Sequence, residues 1–217
     1  MPSETAAASL RERKRARTRA AIVEAALELF AANGYDGTTV ADIAAAADIA
    51  PRTFFSYFAS KDDVLMPDAD ARVAAALDAI AERGPDDRPA DVLLRALGSV
   101  IDGGYDFADD QGALRFRLIQ TVPAIRGRAL QLQLDAQREI AQHLQAAYAD
   151  ELDAIAAGAI VGAFIGAVTG AVQAMVDTGI PDDHEARALS LRQATEIALR
   201  PWATRSSAEH DPFTSGT

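Results

Sequence analysis

The sequence predicts an all-α protein of about nine helices, with a small N-terminal three-helix unit and a larger helical C-terminal domain. Three observations carry that expectation. Apolar residues recur at helical spacing, as in Ile22, Val23, Ala26, Leu27 and Phe30. Stop signals stand between the periodic runs, at Asn33-Gly34, Gly84-Pro85, Pro123 and Gly179-Ile180-Pro181. Outside Ile and Val in those helical registers, β-branched residues are sparse.

The elements follow in order. A first helix is expected over 15–32, ending at Asn33-Gly34, and two short helices with a tight turn follow within 39–58. A fourth is expected over 61–82, where Pro67 should kink it or split off its first turn. A loop over 84–89 leads to a helix over 91–108 carrying Leu93, Leu97, Val100, Ile101 and Tyr105, weakened late by Gly103-Gly104. Next come a short helix over 114–121 and a long one over 124–149, with Ile125, Leu132, Ala136, Ile140 and Leu144 turned inward. The last two span 151–178 and 183–203, with Trp202 near the end. The expected division is a disordered basic arm at 1–14, the small unit at 15–66, the helical domain at 67–204 and a disordered polar tail at 205–217.

Residues 38–61, TTVADIAAAADIAPRTFFSYFASK, carry the strongest functional signal. Thr39 stands before the apolar-periodic Val40, Ile43, Ala44 and Ala47, where a hydroxyl can cap orphan N–H groups. Asp48 falls at the sharp turn and tolerates a left-handed backbone better than a branched residue. Ile49 is an apolar plug, Pro51 suits the first turn of a new helix, and Phe54, Phe55 and Phe58 supply a buried face. Small Ala44 and Ala47 let the two helices cross closely. This is helix-turn-helix geometry, whose second helix enters the major groove. A generic helical hairpin would explain the apolar spacing, but not the turn, proline, aromatic cluster and Lys61 together.

The run resembles the DNA-binding domain of the TetR family of transcriptional regulators, with its loose pattern T-x-x-x-I-A-x-x-A-G-V-S-x-x-T-x-Y-x-x-F-x-x-K. Thr39, Ile43, Ala44, Ala47, Thr53, Phe58 and Lys61 match it, and Ile49 is conservative. Ile22, Ala25, Leu29, Phe30, Gly34, Tyr35 and Thr38 fit the family's first helix and following loop. The resemblance covers 15–66. Three positions depart: Asp48 replaces the turn glycine, Ala50 a capping serine, and Phe55 a tyrosine whose hydroxyl commonly meets a phosphate. The resemblance implies a homodimer built by the last two helices of each subunit. A cytoplasmic protein is expected because the basic N-terminal stretch leads into an amphipathic helix rather than the apolar core of a secretory signal. It also implies a repressor that a small hydrophobic effector releases from a pseudo-palindromic double-stranded DNA operator. Arg52 is the candidate base reader, since Arg pairs with guanine O6 and N7. Pro51 and Thr53 could meet thymine methyls or bases, and Thr38, Thr39, Tyr57 and Lys61 are expected at phosphates. Ser56 could serve either way.

Charge agrees once its distribution is considered. The chain of 217 residues carries a net −11, yet residues 1–61 balance at +1 and the remainder at −12. Arg11, Arg13, Lys14, Arg15, Arg17 and Arg19 face a single Glu12, a basic arm able to follow phosphates or reach a minor groove. A solubilising terminus is the plainer reading of that arm. The acidic remainder is repelled by DNA and would keep the second domain off the duplex.

Residues 154–176 run for twenty-three positions without a formal charge, and Gly158, Gly162, Gly166 and Gly170 recur every fourth residue. A membrane span is the rival reading. Ala and Gly dominate over Leu, however, Thr169 and Gln173 interrupt the run, and acidic Asp150, Glu151, Asp153 and Asp177 flank it without a basic anchor. A helix apolar all round suits burial, and the glycine row suits a close helix crossing, either at the dimer seam or within one subunit. No membrane partner is expected.

Catalysis finds no support. Cysteine is absent, His143, His184 and His210 show no metal-ligand spacing, and no nucleophile, Walker or dinucleotide motif occurs. Neither cofactor nor metal is expected. The resemblance places an effector pocket among the middle helices, with Leu97, Ile101, Tyr105, Phe116, Ile119 and Phe164 as apolar candidates. Arg115 and Arg117 could meet an anionic group or pair with Asp102, Asp106 or Asp109. A ligandless structural DNA binder is the competing class.

Overall fold

The computed structural model describes residues 3–103, 110–179, 181 and 183–203, all of whose regular elements are helical. α1 (Ser3–Asn33), α2 (Val40–Ala46) and α3 (Pro51–Phe54) form the N-terminal unit, closed by a 3-10 turn at Asp62–Leu65. α4 (Ala69–Ala81), α5 (Pro89–Asp102), α6 (Asp110–Thr121), α7 (Pro123–Ala147), α8 (Ala154–Thr178) and α9 (His184–Ala203) form the rest. Tyr105 and the tail at 205–217 lie outside the described residues.

Local chemistry sets the boundaries. α1 stops where Gly34 adopts φ 75° and returns its N–H to the Phe30 carbonyl at 3.1 Å, a conformation glycine takes without a Cβ clash. Pro67 separates the 3-10 turn from α4, so the helix expected over 61–82 is split at its first turn. Asp153 caps α8, accepting from the Ala156 N–H at 2.7 Å, which moves the start of that helix from 151 to 154. α5 is described to Asp102 with Gly103 as its C-cap, and the remainder of the helix expected to 108 lies outside the described residues. One expectation is overturned at the N-terminus. The arm at 1–14 continues α1 from Ser3 as helix rather than disordered chain. Its Ala, Arg and Lys residues are strong helix formers.

Two apolar cores unite the C-terminal helices. Ile80, Leu93, Ile140, Leu144, Ile160 and Leu199 anchor one that joins α4, α5, α7, α8 and α9. Leu97, Ile101, Val172, Met175 and Leu191 form a second between α5, α8 and α9. The N-terminal core gathers Ile22, Leu27, Phe30, Ile43, Phe54, Phe58 and Val64, and also the fully buried Ile125 from the first turn of α7. Leu114, Leu118, Ile119 and Val122 pack against it. The change of element near residue 66 is therefore no break in the core.

Candidate nucleic-acid interface and the cavity behind it

The candidate reading surface is built by short-range capping. The Thr39 hydroxyl accepts from the Asp42 N–H at 3.2 Å, while the Asp42 carboxylate accepts from the Thr39 N–H at 2.9 Å. Hydrogen bonds from the Thr39 hydroxyl and N–H hold the Asp42 carboxyl below its ordinary range. After α2, Asp48 takes φ 53°, and Ile49 returns its N–H to the Ala44 carbonyl at 2.9 Å. This is the left-handed turn the sequence places at Asp48. α3 then starts on Pro51 with Ala50 giving no side-chain cap, a lesser loss because proline has no N–H to satisfy.

Pro51, Arg52 and Ser56 are exposed on this unit, and Thr53 and Tyr57 half-buried. Phe54 and Phe58 are buried beneath them. Phe55 departs from the expected buried face: it is 58% exposed, edge-on to Phe54 at 5.4 Å between ring centroids.

α1 braces the unit from behind. Arg15 donates to the Ser56 carbonyl at 3.2 Å and lies 5.2 Å from the Tyr57 ring centroid. One turn on, Arg19 lies 4.7 Å from the Phe58 ring, donates to the Pro67 carbonyl and stands 3.8 Å from the Asp68 carboxylate. These two residues are braces rather than parts of a loose arm. Arg11, Arg13, Lys14 and Arg17 are exposed along the helix. A helix about 10 Å across does not thread a minor groove about 6 Å wide, which leaves the other of the two expected roles, following the phosphate backbone, to be proposed for it.

Two expected phosphate contacts are also revised. Thr38 is only 1% exposed, and its hydroxyl donates within the protein, to the Gly34 carbonyl at 2.9 Å and the Leu29 carbonyl at 3.2 Å. Lys61 Nζ donates to the carbonyls of Tyr35 and Thr38 at 2.8 Å each and lies 3.9 Å from the Tyr35 ring centroid. Both residues clamp the loop between α1 and α2 to the end of the reading unit. Thr39 remains exposed beside them.

Comparison with known proteins decides the family. Residues 22–66 match the family model for bacterial regulatory proteins of the tetR family. The HTH-type transcriptional regulator TcmR of Streptomyces glaucescens is 36% identical over 151 residues, 66% of each chain. The chain belongs to the TetR family. MftR of Mycobacterium tuberculosis is 45% identical over 62 residues, 29% of this chain and 31% of that one, so the curated matches leave a third or more of each relative's length uncovered. Among solved structures, Thermus thermophilus FadR, a TetR-family transcriptional repressor in complex with lauroyl-CoA, is similar with a TM-score of 0.54 at 21% identity, covering 91% of this chain and 100% of that one. At that identity the likeness speaks for the fold: an N-terminal helix-turn-helix and a C-terminal helical domain. Residues 22–66 thus carry the DNA-binding unit that these transcriptional regulators share.

Behind the TetR-type unit lies a cavity of about 950 Å³, open to solvent on one side and lined by α1, the start of α4, α5, α6, α7 and α8. Leu97, Phe116, Ile119 and Phe164 line it, as the sequence suggests. Ile101 instead lies buried in the adjoining α5–α8–α9 core. Arg115 is on the wall, whereas Arg117 is exposed and bonds back to the Ala113 carbonyl at 3.4 Å. Ala16, Ala20 and Val23 of α1 and Arg72 of α4 also line the cavity; no local pattern marks them, because only the fold brings them there. Burial pushes the Arg72 guanidinium below its ordinary range and Arg115 adds to that, while Asp68 opposes it.

Among the described residues α8 is the one helix long and apolar enough to cross a membrane, with mean hydropathy 2.1. It packs instead against α5, α7 and α9. A Cβ at Gly158, Gly166 or Gly170 would meet nothing within 4 Å, and at Gly162 it would stand 3.0 Å from the Gln137 amide. Packing inside the protomer therefore accounts for Gly162 alone. α8 and α9 also expose Ile155, Leu189 and Ile197.

Proposed function

We propose that this regulator is a cytoplasmic homodimeric repressor that leaves a pseudo-palindromic operator when a small hydrophobic effector occupies the α1–α8 cavity. The observation that carries the reading is the position of α1. The same helix braces Ser56, Tyr57 and Phe58 through Arg15 and Arg19 and supplies Ala16, Ala20 and Val23 to the cavity wall. A ligand that alters that wall acts on the reading unit without an intermediary.

In this reading Arg52 reads a base, Pro51, Thr53 and the exposed Phe55 meet apolar base edges or sugars, and Thr39, Ser56 and Tyr57 meet the backbone. Arg11, Arg13, Lys14 and Arg17 add phosphate contacts. Gly158, Gly166 and Gly170, with Ile155, Leu189 and Ile197, form the seam between subunits, since open glycine rows and exposed branched residues favour a close helix crossing.

Selection of bound sequences from random DNA supplies the operator, and titration of apolar compounds then tests release. An effector must bind the DNA-free form better than the DNA-bound one. Typical coupling of about 1–3 kcal/mol corresponds to a change in operator affinity of about five- to 150-fold. Compounds that raise thermal stability yet leave operator affinity unchanged would count against ligand release. Enrichment of many loose sites in place of one palindrome would favour a structural DNA binder.

A further inference from the structure

The chain through α3 presents two faces. Phe54 and Phe58, four positions apart, are buried in the N-terminal core with Ile22, Phe30 and Ile43. Arg52, Phe55 and Ser56, spaced i, i+3 and i+4, are exposed together on the outward side. Phe55 ends α3 in helical conformation, at φ −68° and ψ −7°, and the Phe58 N–H returns to the Phe54 carbonyl at 3.1 Å, so that spacing holds through the turn. Among these outward side chains Phe55 is the large apolar one. Its ring stands at 81° to that of Phe54, with 5.4 Å between centroids. An edge contact with a ring fixed in the core orients the exposed ring, so little rotamer freedom is lost when a partner covers it.

A phenyl ring has no donor for a phosphate, so its partner on DNA must be apolar. In the major groove the apolar group on the base edges is the C5-methyl of thymine. Sugar carbons are apolar too, but they belong to the backbone, whereas Phe55 shares its face with Arg52, the candidate base reader. We propose that Phe55 is a specificity-determining residue that reads the C5-methyl of one thymine in each half-site. The inference rests on the operator reading above and narrows Phe55 from apolar base edges or sugars to a single chemical group. Three residues of helix rise about 4.5 Å, against about 3.4 Å per base pair, so that thymine falls within about two base pairs of the base read by Arg52. Where the TetR pattern carries a tyrosine for a phosphate, this chain carries a base reader.

The test uses the full-length protein and the operator selected from random DNA. Each thymine is replaced in turn by deoxyuridine, which keeps the hydrogen-bonding groups of the base and removes only the C5-methyl. Burial of one methyl is worth about fourfold in an equilibrium constant, so affinity should fall about fourfold at one thymine of a half-site. Changing that thymine in both half-sites should cost about fifteenfold, because distant sites add in free energy. Phe55→Ala should bind the thymine and uracil operators equally at that position, while sensitivity at any thymine met by Pro51 or Thr53 persists. Phe55→Leu, which still offers apolar carbons, should keep part of the discrimination. Circular dichroism verifies folding, and the leucine variant repeats the comparison with an apolar neighbour for Phe54 retained.

Variants that weaken every operator alike and keep all thymine–uracil differences would overturn the proposal, placing Phe55 on the sugar–phosphate backbone while leaving the operator reading intact. An operator without thymine within about two base pairs of the position where Arg52→Ala relaxes preference would overturn it as well. Selection that enriches no sequence would overturn this inference together with the operator reading itself.

Discussion

Replacing Lys61 with Met keeps most of the side-chain stem and deletes the ammonium. Two hydrogen bonds of 2.8 Å to the Tyr35 and Thr38 carbonyls disappear, with a cation 3.9 Å from the Tyr35 ring centroid. Bonds to a charged donor run about 1.5–3 kcal/mol each, and an exposed cation–π contact about 0.5–1 kcal/mol. Lys61 is half-buried, so water can reach the abandoned carbonyls and the net loss should be about 2 kcal/mol. For a chain of this size that lowers Tm by about 4–8 °C, measured at fixed protein concentration so that self-association of the kind proposed above does not enter the comparison. Operator titration across a salt series provides the second readout. A phosphate contact would flatten the salt dependence by about one charge per subunit when removed, whereas a clamp within the protein leaves the slope unchanged. An unmoved Tm with a flattened slope would refute the clamp and restore Lys61 to the backbone of the operator.

Four further expectations follow from the same geometry. Arg52→Ala should cost about 1–3 kcal/mol at the operator and relax preference at one base position, measured by competition with single-base variants; equal losses on random DNA would remove it as a base reader. Gly166→Leu should shift the dimer towards monomer and lower palindrome affinity towards that of a half-site, as read by light scattering and titration. A folded, dimeric variant with undiminished affinity would place the glycine row elsewhere. Ile125→Ala should cost about 2–5 kcal/mol in urea unfolding and lower amide-exchange protection in α1 and the 3-10 turn more than in α8; the opposite pattern would detach Ile125 from the N-terminal core. Asp62, which accepts from the Tyr35 hydroxyl, has its carboxyl pushed up first by burial and then by the Asp63 charge, with Arg128 opposing. A raised folded value means its contribution is fully present below about pH 4, near the unfolded value, and is lost as pH rises through the folded one. Asp62→Asn should therefore gain stability relative to wild type on going from about pH 3 to neutral pH. A constant difference across that range would contradict the assignment.

Features determined by neighbours along the chain were legible in the sequence. The left-handed Asp48, the split at Pro67 and the stop at Gly34 each follow from one residue's backbone preferences. What escaped depended on distant partners. Lys61 and Arg19 read as surface residues, but both cations meet carbonyls brought near by folding, 26 and 23 positions away for Lys61 and 48 for Arg19. Phe54 and Phe55 were indistinguishable because α3 is a single turn, too short for periodicity to separate inner from outer faces. Of the six apolar candidates read from the middle helices, Leu97, Phe116, Ile119 and Phe164 line the cavity, Ile101 lies in the adjoining core and Tyr105 is outside the described residues. The contribution of α1 was not foreseeable, since its apolar stripe looks the same whether it covers a core or borders a cavity.

The placement of Ile125 has a consequence for how the protein is made. The reading unit is synthesised first, yet a buried member of its core and the flanking Leu114, Leu118, Ile119 and Val122 lie far downstream. At ribosomal speeds of about 5–20 residues per second, the interval between residues 66 and 125 lasts about 3–12 seconds. Throughout that interval a nascent chain has α1–α3 but lacks the side chains that complete their packing. Truncated products ending before α7 should therefore fold their N-terminal unit less completely and compete poorly for DNA with the complete chain.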